Sequence, residues 1–270
     1  MTPLPSALER GPEIAARLAS GPPAAFLDFD GTLSPIVADP AHAVLPVDTR
    51  ASIERLAARL PVAVVSGRAV DDVAARVGLD GIWYAGSHGF ELLWPDGWRE
   101  ERGHEFLPSL DRVEKRLRCD LRHVAGAVVE RKPFSVAVHD RRVPERQRPE
   151  VDAALRRAAA DAPDLRITSG KMVSDLQPDI PWDKGRAVAR LLEVMVDDAE
   201  VAVPIYVGDD LTDEDAFRLL RRRGITVLVG SPAGPTGARY GLEDPDQVRM
   251  FLDVLASAAN GTRGDRAALG

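Results

Sequence analysis

Short apolar runs that end in polar residues recur along this chain, and they constrain its fold more than any other feature. The clearest four are AAFLDF (24–29), PVAVVSGR (61–68), GIWYAGSHG (81–89) and VPIYVGDD (203–210), and ITVLVG (225–230) is a further predicted strand. Helical patterns separate them, as in DTRASIERLAARL (48–60), where apolar residues recur at Ile53, Leu56 and Leu60. This alternation predicts βα units around a parallel sheet.

The helix at 48–60 shows how the boundaries of these elements are predicted. Asp48 or Thr49 is the expected N-cap. The next helix, in AVDDVAARVG, is expected to stop at Gly78. Each of the four clearest strands carries its polar residues at its carboxyl end, which is where open α/β sheets bind ligands.

Residues 108–178 follow a different pattern. Two amphipathic helical stretches alternate with strand-like stretches, and LRITSGKMVSDLQP resembles a hairpin that turns near Ser169 and Gly170. The βα pattern resumes afterwards, so we expect an α+β unit inserted into a main domain formed by residues 1–107 and 179–270.

Composition narrows the function classes. The 270 residues carry a net charge of −7, which argues against a nucleic-acid partner. Cys119 is the single cysteine, so an intrachain disulfide and a four-cysteine zinc site are excluded. Neither an apolar signal sequence nor a run of about 20 apolar residues is seen, so we expect a cytoplasmic monomer without a membrane partner.

Asp28 and Asp30 follow the first apolar run directly. An extended chain would point both the same way, and Gly31 would permit a sharp turn. Neighbouring carboxylates repel unless a cation or a shared proton relieves them, and Mg²⁺ is a natural partner. An ordinary strand-end turn is the alternative for this motif alone.

VGDDLTDED supplies a second acidic cluster. Helix capping would explain Asp213, Glu214 and Asp215, but it does not explain why Asp209 and Asp210 directly follow an apolar strand. Two acidic strand ends of one parallel sheet can meet and share a metal ion.

Two further residues have phosphate-binding chemistry. Ser66 and Gly67 lie at a strand end just before a helix, a position suited to anions, and Lys184 lies near another helix start. Alone, Ser66 reads as an N-cap and Lys184 as a solvent-facing cation. Together with the aspartates they indicate phosphoryl transfer.

At this point the motifs resemble a known family. DFDGTLSPI, VVSGR, GSHGFE, VERKPFSVAVHDR, WDKG and VGDDLTDEDAF are similar to the motifs of the haloacid dehalogenase superfamily and, within it, of the trehalose-6-phosphate phosphatases. The resemblance implies an α/β fold with a Rossmann-like, doubly wound parallel-sheet core and an inserted α+β cap. It also implies Mg²⁺-dependent hydrolysis of a small-molecule sugar phosphate.

The resemblance also implies roles for individual residues. Asp28 would be the nucleophile, Asp30 the acid and base, and Ser66 and Lys184 the phosphoryl ligands. The metal would be held by Asp28, the backbone carbonyl of Asp30 and Asp209, with Asp210 or Asp213 acting through water or on neighbours. The residues that would bind substrate are Gly67, Arg68, His88, Glu130, Lys132, Arg141, Lys171 and Asp175.

Three positions depart from the family pattern. Asp175 stands where glutamate is usual, Asp140 where an aromatic is common, and Gln177 where arginine is common. These departures leave open another sugar phosphate as substrate, such as sucrose phosphate or a mannosyl phosphoglycerate. A non-catalytic regulatory domain on the same fold is the alternative from a different class.

Overall fold

The structure, a computed structural model, describes residues 4–37, 39–170, 172–232 and 234–267, with the backbone alone at 169–170 and from 260 onward. The chain divides into two units. The core unit comprises residues 1–100 and 182–270, and the inserted unit comprises residues 101–181.

A mostly parallel sheet organises the core unit. Its strands are β1 (Pro23–Asp28), β2 (Val62–Val65), β3 (Trp83–Gly86), β4 (Glu91–Leu93), β5 (Arg99–Glu101), β10 (Val203–Gly208), β11 (Ile225–Val229) and β12 (Tyr240–Leu242). Their order is β12-β11-β10-β1-β2-β3-β4-β5, and β4 is antiparallel to β3.

Helices cover both faces of this sheet. They are α1 (Gly11–Leu18), α2 (Val47–Ala57), α3 (Val70–Val77), α6 (Lys184–Met195), α7 (Glu214–Leu220) and α8 (Pro245–Ala267). Ala25 and Leu27 of β1 belong to the apolar layer that includes α1, α2, α3 and α8. Ala24 and Phe26 belong to the layer of α6 and α7. Burial on both faces explains why the strands read as unbroken apolar runs.

The inserted unit has its own sheet and core. Its elements are α4 (Leu107–Asp120), β6 (Val128–Lys132), β7 (Ser135–His139), α5 (Arg148–Ala160), β8 (Leu165–Gly170) and β9 (Val173–Pro178). The four strands are antiparallel in the order β6-β7-β9-β8. Val136, Val138 and Leu176 pack with the apolar faces of α4 and α5. The predicted α/β core with an inserted α+β unit is confirmed.

The structure corrects one of three local expectations. Helix α2 begins at Val47 after Pro46, without a side-chain cap, so neither Asp48 nor Thr49 is its N-cap. The predicted hairpin near Ser169 and Gly170 is confirmed, because β8 ends at Gly170 and pairs antiparallel with β9. The stop at Gly78 is confirmed, because this glycine caps α3 with a φ of 58°.

Candidate active site

The carboxyl ends of three neighbouring strands bring the predicted residues together. Strand β1 lies between β10 and β2, and Leu27 pairs with Val207 on one side and Val64 on the other. Asp28, Ser66 and Asp209 therefore lie side by side at one edge of the sheet, where the strand order reverses direction. The expectation that two acidic strand ends meet is confirmed.

Lys184 links two of the acidic segments. It is the first residue of α6, whose N-cap Asp183 accepts a hydrogen bond from the Arg186 amide at 2.8 Å. The Lys184 Nζ donates to Oδ1 of Asp28 and to Oδ1 of Asp213, both at 2.7 Å. The lysine is only 4% exposed, so it is a buried cation between two carboxylates and not a solvent-facing side chain.

Burial and charge oppose each other in the pKa of Lys184. Burial by itself would lower the pKa, but Asp213 and Asp28 outweigh it and hold the pKa well above its usual value. Burial also raises the pKa of Asp28, against the opposing effect of Lys184 and with the repulsion of Asp213 and Asp209 added. Lys184 therefore stays protonated, whereas the ionised form of Asp28 needs further positive charge nearby to be stable.

Asp213 is saturated with hydrogen bonds. Its Oδ1 accepts from Lys184 and from the Tyr206 hydroxyl at 2.7 Å, and its Oδ2 accepts from the amides of Asp209 and Asp210 at 3.0 Å. Burial first, and then Asp213, raises the pKa of Tyr206, so this phenol remains a donor. The carboxylate thus anchors Lys184 and shapes the acidic loop, and each of its oxygens already has two donors.

The acidic residues can hold a divalent cation. One carboxylate oxygen from each of Asp28, Asp209 and Asp213 lies within 4.8 Å of the others. Burial, followed by repulsion from Asp213, raises the pKa of Asp209 to about 7. An all-oxygen ligand set with excess negative charge suits a hard cation such as Mg²⁺.

Gly31 makes room for this cluster. Its φ is 87°, and a Cβ at this position would lie 2.2 Å from Oδ2 of Asp209. Only glycine lets the β1 loop adopt this turn while the Asp209 carboxylate approaches its backbone. This close approach is a second observation that fits a metal site built from both strand ends.

Asp30 points to a different partner from Asp28. Its two oxygens accept from Nε and Nη2 of Arg68, both at 2.7 Å, and Arg68 also donates to Asp72 at 2.9 Å. The Asp30 side chain is 42% exposed. It lies outside the cluster of Asp28, Asp209 and Asp213, and both of its oxygens are engaged by Arg68.

The loop of Ser66, Gly67 and Arg68 is held by the GSHG turn. The Ser87 amide donates to the Arg68 carbonyl at 2.6 Å, and the His88 amide donates to the Ser66 carbonyl at 3.0 Å. A Cβ on Gly67 would lie 2.6 Å from the His88 ring. Ser87 and His88 both have positive φ, a strained conformation for residues other than glycine.

Four of the predicted substrate-binding residues lie in the inserted unit, and a fifth, Lys171, lies outside the described residues. Glu130, Lys132 and Asp175 occupy one face of its sheet, and Arg141 is exposed beyond the end of β7. Hydrogen bonding to His139 lowers the pKa of Glu130, against the effect of burial and with a smaller contribution from Lys132. Asp210 acts as the cap of the turn at 211–213, where its Oδ1 accepts from the Leu211 amide at 2.7 Å.

Several residues of the site were not found from the sequence. Tyr206 reads as an ordinary apolar strand residue, and its contact with Asp213 depends on the turn that follows the strand. Glu91 is buried and accepts hydrogen bonds from the Ser87 hydroxyl and the Val70 amide. The glutamate of the GSHGFE motif was a usable signal for it, whereas nothing in the sequence isolated Tyr206.

The fold and the acidic strand ends define a haloacid dehalogenase-like hydrolase fold. A solved haloacid dehalogenase-like hydrolase from Bacteroides thetaiotaomicron matches with a TM-score of 0.61 at 14% identity, over 89% of this chain and 99% of that one. The C-terminal domain of trehalose-6-phosphate phosphatase from C. albicans matches with a TM-score of 0.79 at 22% identity, over 94% of this chain and 98% of that one.

The family follows from sequence comparison. The trehalose-phosphatase family model matches residues 26–246, and the chain belongs to this family. The trehalose-phosphate phosphatase of Mycobacterium marinum is 45% identical over 243 residues, which are 87% of this chain and 62% of that relative. The chain therefore spans about three fifths of the length of that relative. Among the described helices, none has an apolar stretch long enough to cross a membrane.

Replacing Gly31 with alanine tests the close approach of Asp209. Gly97 is a matched control, because it has the same φ of 87° but nothing within 4 Å of a Cβ. Gly97→Ala should cost about 1 kcal/mol of unfolding free energy through its backbone conformation alone. Gly31→Ala should cost more and should also weaken Mg²⁺ binding measured by calorimetry. Equal effects of the two variants would contradict the proposed contact.

The raised pKa of Asp209 predicts a pH-dependent stability. Between about pH 4 and pH 7 the folded metal-free protein holds a proton on Asp209 that the unfolded chain releases, so unfolding free energy falls as pH rises. Asp209→Asn should therefore raise the unfolding free energy in EDTA by roughly 1–3 kcal/mol at pH 8 and by much less at pH 5. Urea titrations at both pH values measure this, and a gain that is the same at both would refute it.

Proposed function

We propose that this chain hydrolyses trehalose 6-phosphate to trehalose and phosphate, with Mg²⁺ as cofactor and an aspartyl-phosphate intermediate. The observation that carries the proposal is the buried bridge from Asp28 through Lys184 to Asp213, next to Asp209. A buried carboxylate beside a fixed ammonium group and an acidic loop suits nucleophilic attack on a phosphate ester. Family membership favours the trehalose ester as substrate.

The first step is attack by Asp28 on phosphorus. A bond forms between a carboxylate oxygen and phosphorus while the bond from phosphorus to the sugar oxygen breaks, and Asp30 supplies the proton that the sugar oxygen takes. Lys184 and Ser66 bind the phosphoryl oxygens and stabilise the charge spread over them. Both Asp30 oxygens accept hydrogen bonds from Arg68, so delivery of a proton from Asp30 to the sugar requires that this contact open.

The second step is hydrolysis of the aspartyl phosphate. Asp30, now an anion, takes a proton from water, whose oxygen attacks phosphorus and displaces the Asp28 carboxylate. Mg²⁺ held by Asp28, Asp209 and the backbone of Asp30 would neutralise the phosphoryl charge and favour the Asp28 anion. Asp213 and Asp210 support this set by holding Lys184 and the loop backbone.

The inserted segment, residues 108–178, is proposed to supply sugar specificity as a cap, with residues 1–107 and 179–270 as the hydrolase core. Glu130, Lys132, Arg141 and Lys171 are the proposed contacts to sugar hydroxyls. On the core unit, Arg68 and His88 complete the proposed substrate contacts. Another disaccharide phosphate, such as sucrose phosphate or mannosyl phosphoglycerate, remains the second candidate, because the cap departs from the family pattern at Asp140, Asp175 and Gln177.

Phosphate release from a panel of sugar phosphates tests this proposal. Trehalose 6-phosphate should be turned over in Mg²⁺, EDTA should abolish turnover, and added Mg²⁺ should restore it. Asp28→Asn should lower kcat by at least about a thousandfold, since the nucleophile is lost. Asp253→Asn is the matched control, because Asp253 pairs with Arg55 and Arg249 on another part of the core unit.

The other outcomes distinguish the alternatives. If the chain hydrolyses sucrose phosphate or a mannosyl phosphoglycerate in preference, the proposed substrate is wrong and the proposed hydrolytic mechanism stands. Glucose 6-phosphate turned over as fast as the disaccharide ester would also count against trehalose specificity. If no ester is hydrolysed by the folded, Mg²⁺-loaded chain, the regulatory-domain alternative holds.

A further inference from the structure

The sheet of the inserted unit has one apolar and one polar face. Direct pairing places Glu130 opposite Ala137 and Ala137 opposite Asp175, so these residues lie on the same face. The opposite face carries Val136, Val138 and Leu176, which pack in the apolar core of the unit. The polar face therefore holds its charged residues in a fixed register: Glu130, Lys132, His139, Arg166 and Asp175, with the uncharged Ser135 and Gln177 on the same face.

The charged residues on this face are not equivalent. Oδ1 of Asp175 accepts from Lys132 Nζ at 3.2 Å and from the Ser135 hydroxyl at 3.0 Å. The Asp175 side chain is 8% exposed, whereas the Glu130 side chain is 50% exposed. Glu130 thus extends from the sheet, while Asp175 lies low on it and is bonded to neighbouring strands.

The residues around Asp175 explain how the contact forms. Lys132 lies on β6 and Asp175 on β9, so the lysine must reach across β7. On β7, Ser135 pairs with Lys132 and Ala137 pairs with Asp175, so the lysine reaches the carboxylate diagonally across that strand. Ser135 fixes the other side of the same carboxylate oxygen. An aspartate has a short side chain, so its carboxylate stays close to the sheet, where both donors reach it.

We propose that Asp175 is a positioning residue that orients the ammonium group of Lys132 toward the sugar and does not itself bind the substrate. The inference rests on the proposed function and refines it. It replaces the direct sugar contact expected for residue 175 with an indirect role. In this role Lys132 makes the contact with the sugar hydroxyl. Asp175 restricts the Lys132 side chain to the conformations that can make this contact.

A double-mutant cycle separates the indirect role from a direct one. Asp175→Asn, Lys132→Met and the double variant are assayed with trehalose 6-phosphate. If Asp175 acts only through Lys132, Asp175→Asn should raise KM about tenfold with a smaller change in kcat, and the double variant should match Lys132→Met within about twofold. Ser135→Ala should raise KM less than Asp175→Asn, because the lysine remains paired.

The matched control is Asp111→Asn. Asp111 also pairs with a β6 cation, Arg131 at 3.2 Å, but Arg131 lies on the other face of the strand. This variant should leave KM and kcat unchanged. If the double variant instead shows the product of the two single effects, Asp175 contacts the sugar directly and the inference is wrong. A wild-type KM in Asp175→Asn would also overturn it.

Unfolding measurements keep this test separate from the proposed function. Without substrate, the unfolding equilibrium constant of the double variant should be at least about threefold below the product expected from the two single variants, because each single variant already breaks the pair. If the wild type does not hydrolyse trehalose 6-phosphate, the proposed function fails, and the unfolding cycle still decides whether the pair exists. Independent effects on unfolding would refute the pairing itself.

Discussion

The buried ammonium group of Lys184 is the interaction on which the candidate site depends. It joins α6 to the end of β1 and to the loop after β10, which are distant in sequence. Asp28, Asp209 and Asp213 carry three formal negative charges against this single positive charge. A divalent cation would balance the remainder, whereas burial without one raises the pKa of Asp28 and Asp209 and favours proton uptake. Protons and a divalent cation would therefore compete for the same carboxylates.

The sheet order is what makes this concentration of charge possible. Strand β1 is central, and its neighbours β10 and β2 come from opposite ends of the core sequence. Loops that leave adjacent strands at their carboxyl ends must share one edge, so side chains separated by well over a hundred residues meet without any long-range motif. The apolar layers on both faces hold these strand ends in place, and the cost of burying charge is met by the stability of that core.

Much of the fold was predictable, because the signals for it are local. Apolar runs specify buried strands, Gly78 ends a helix, and a change of pattern marks the inserted unit. The site was only partly predictable. Aspartates that follow apolar strands can be recognised in the sequence. Tyr206 cannot, because it resembles any other apolar strand residue. Its hydroxyl belongs to the site only because the turn after β10 brings Asp213 within hydrogen-bond distance. The N-cap of α2 was also mispredicted. Pro46 occupies the N-cap position, so Asp48 and Thr49 lie within the helix.

In the inserted unit, residue type alone does not distinguish a residue that could contact a ligand from one that contacts its neighbours. Lys132 and Asp175 both have the chemistry to bind a sugar hydroxyl, and the sequence treats them alike. The strand register separates them, because it places Lys132 opposite Ser135 and Asp175 opposite Ala137, so that Lys132 and Ser135 both donate to the Asp175 carboxylate. Asp175 has one methylene fewer than the glutamate usual at this position, so its carboxylate stays near the sheet. With the carboxylate held there, Asp175 contacts Lys132 and Ser135 rather than extending from the sheet as Glu130 does.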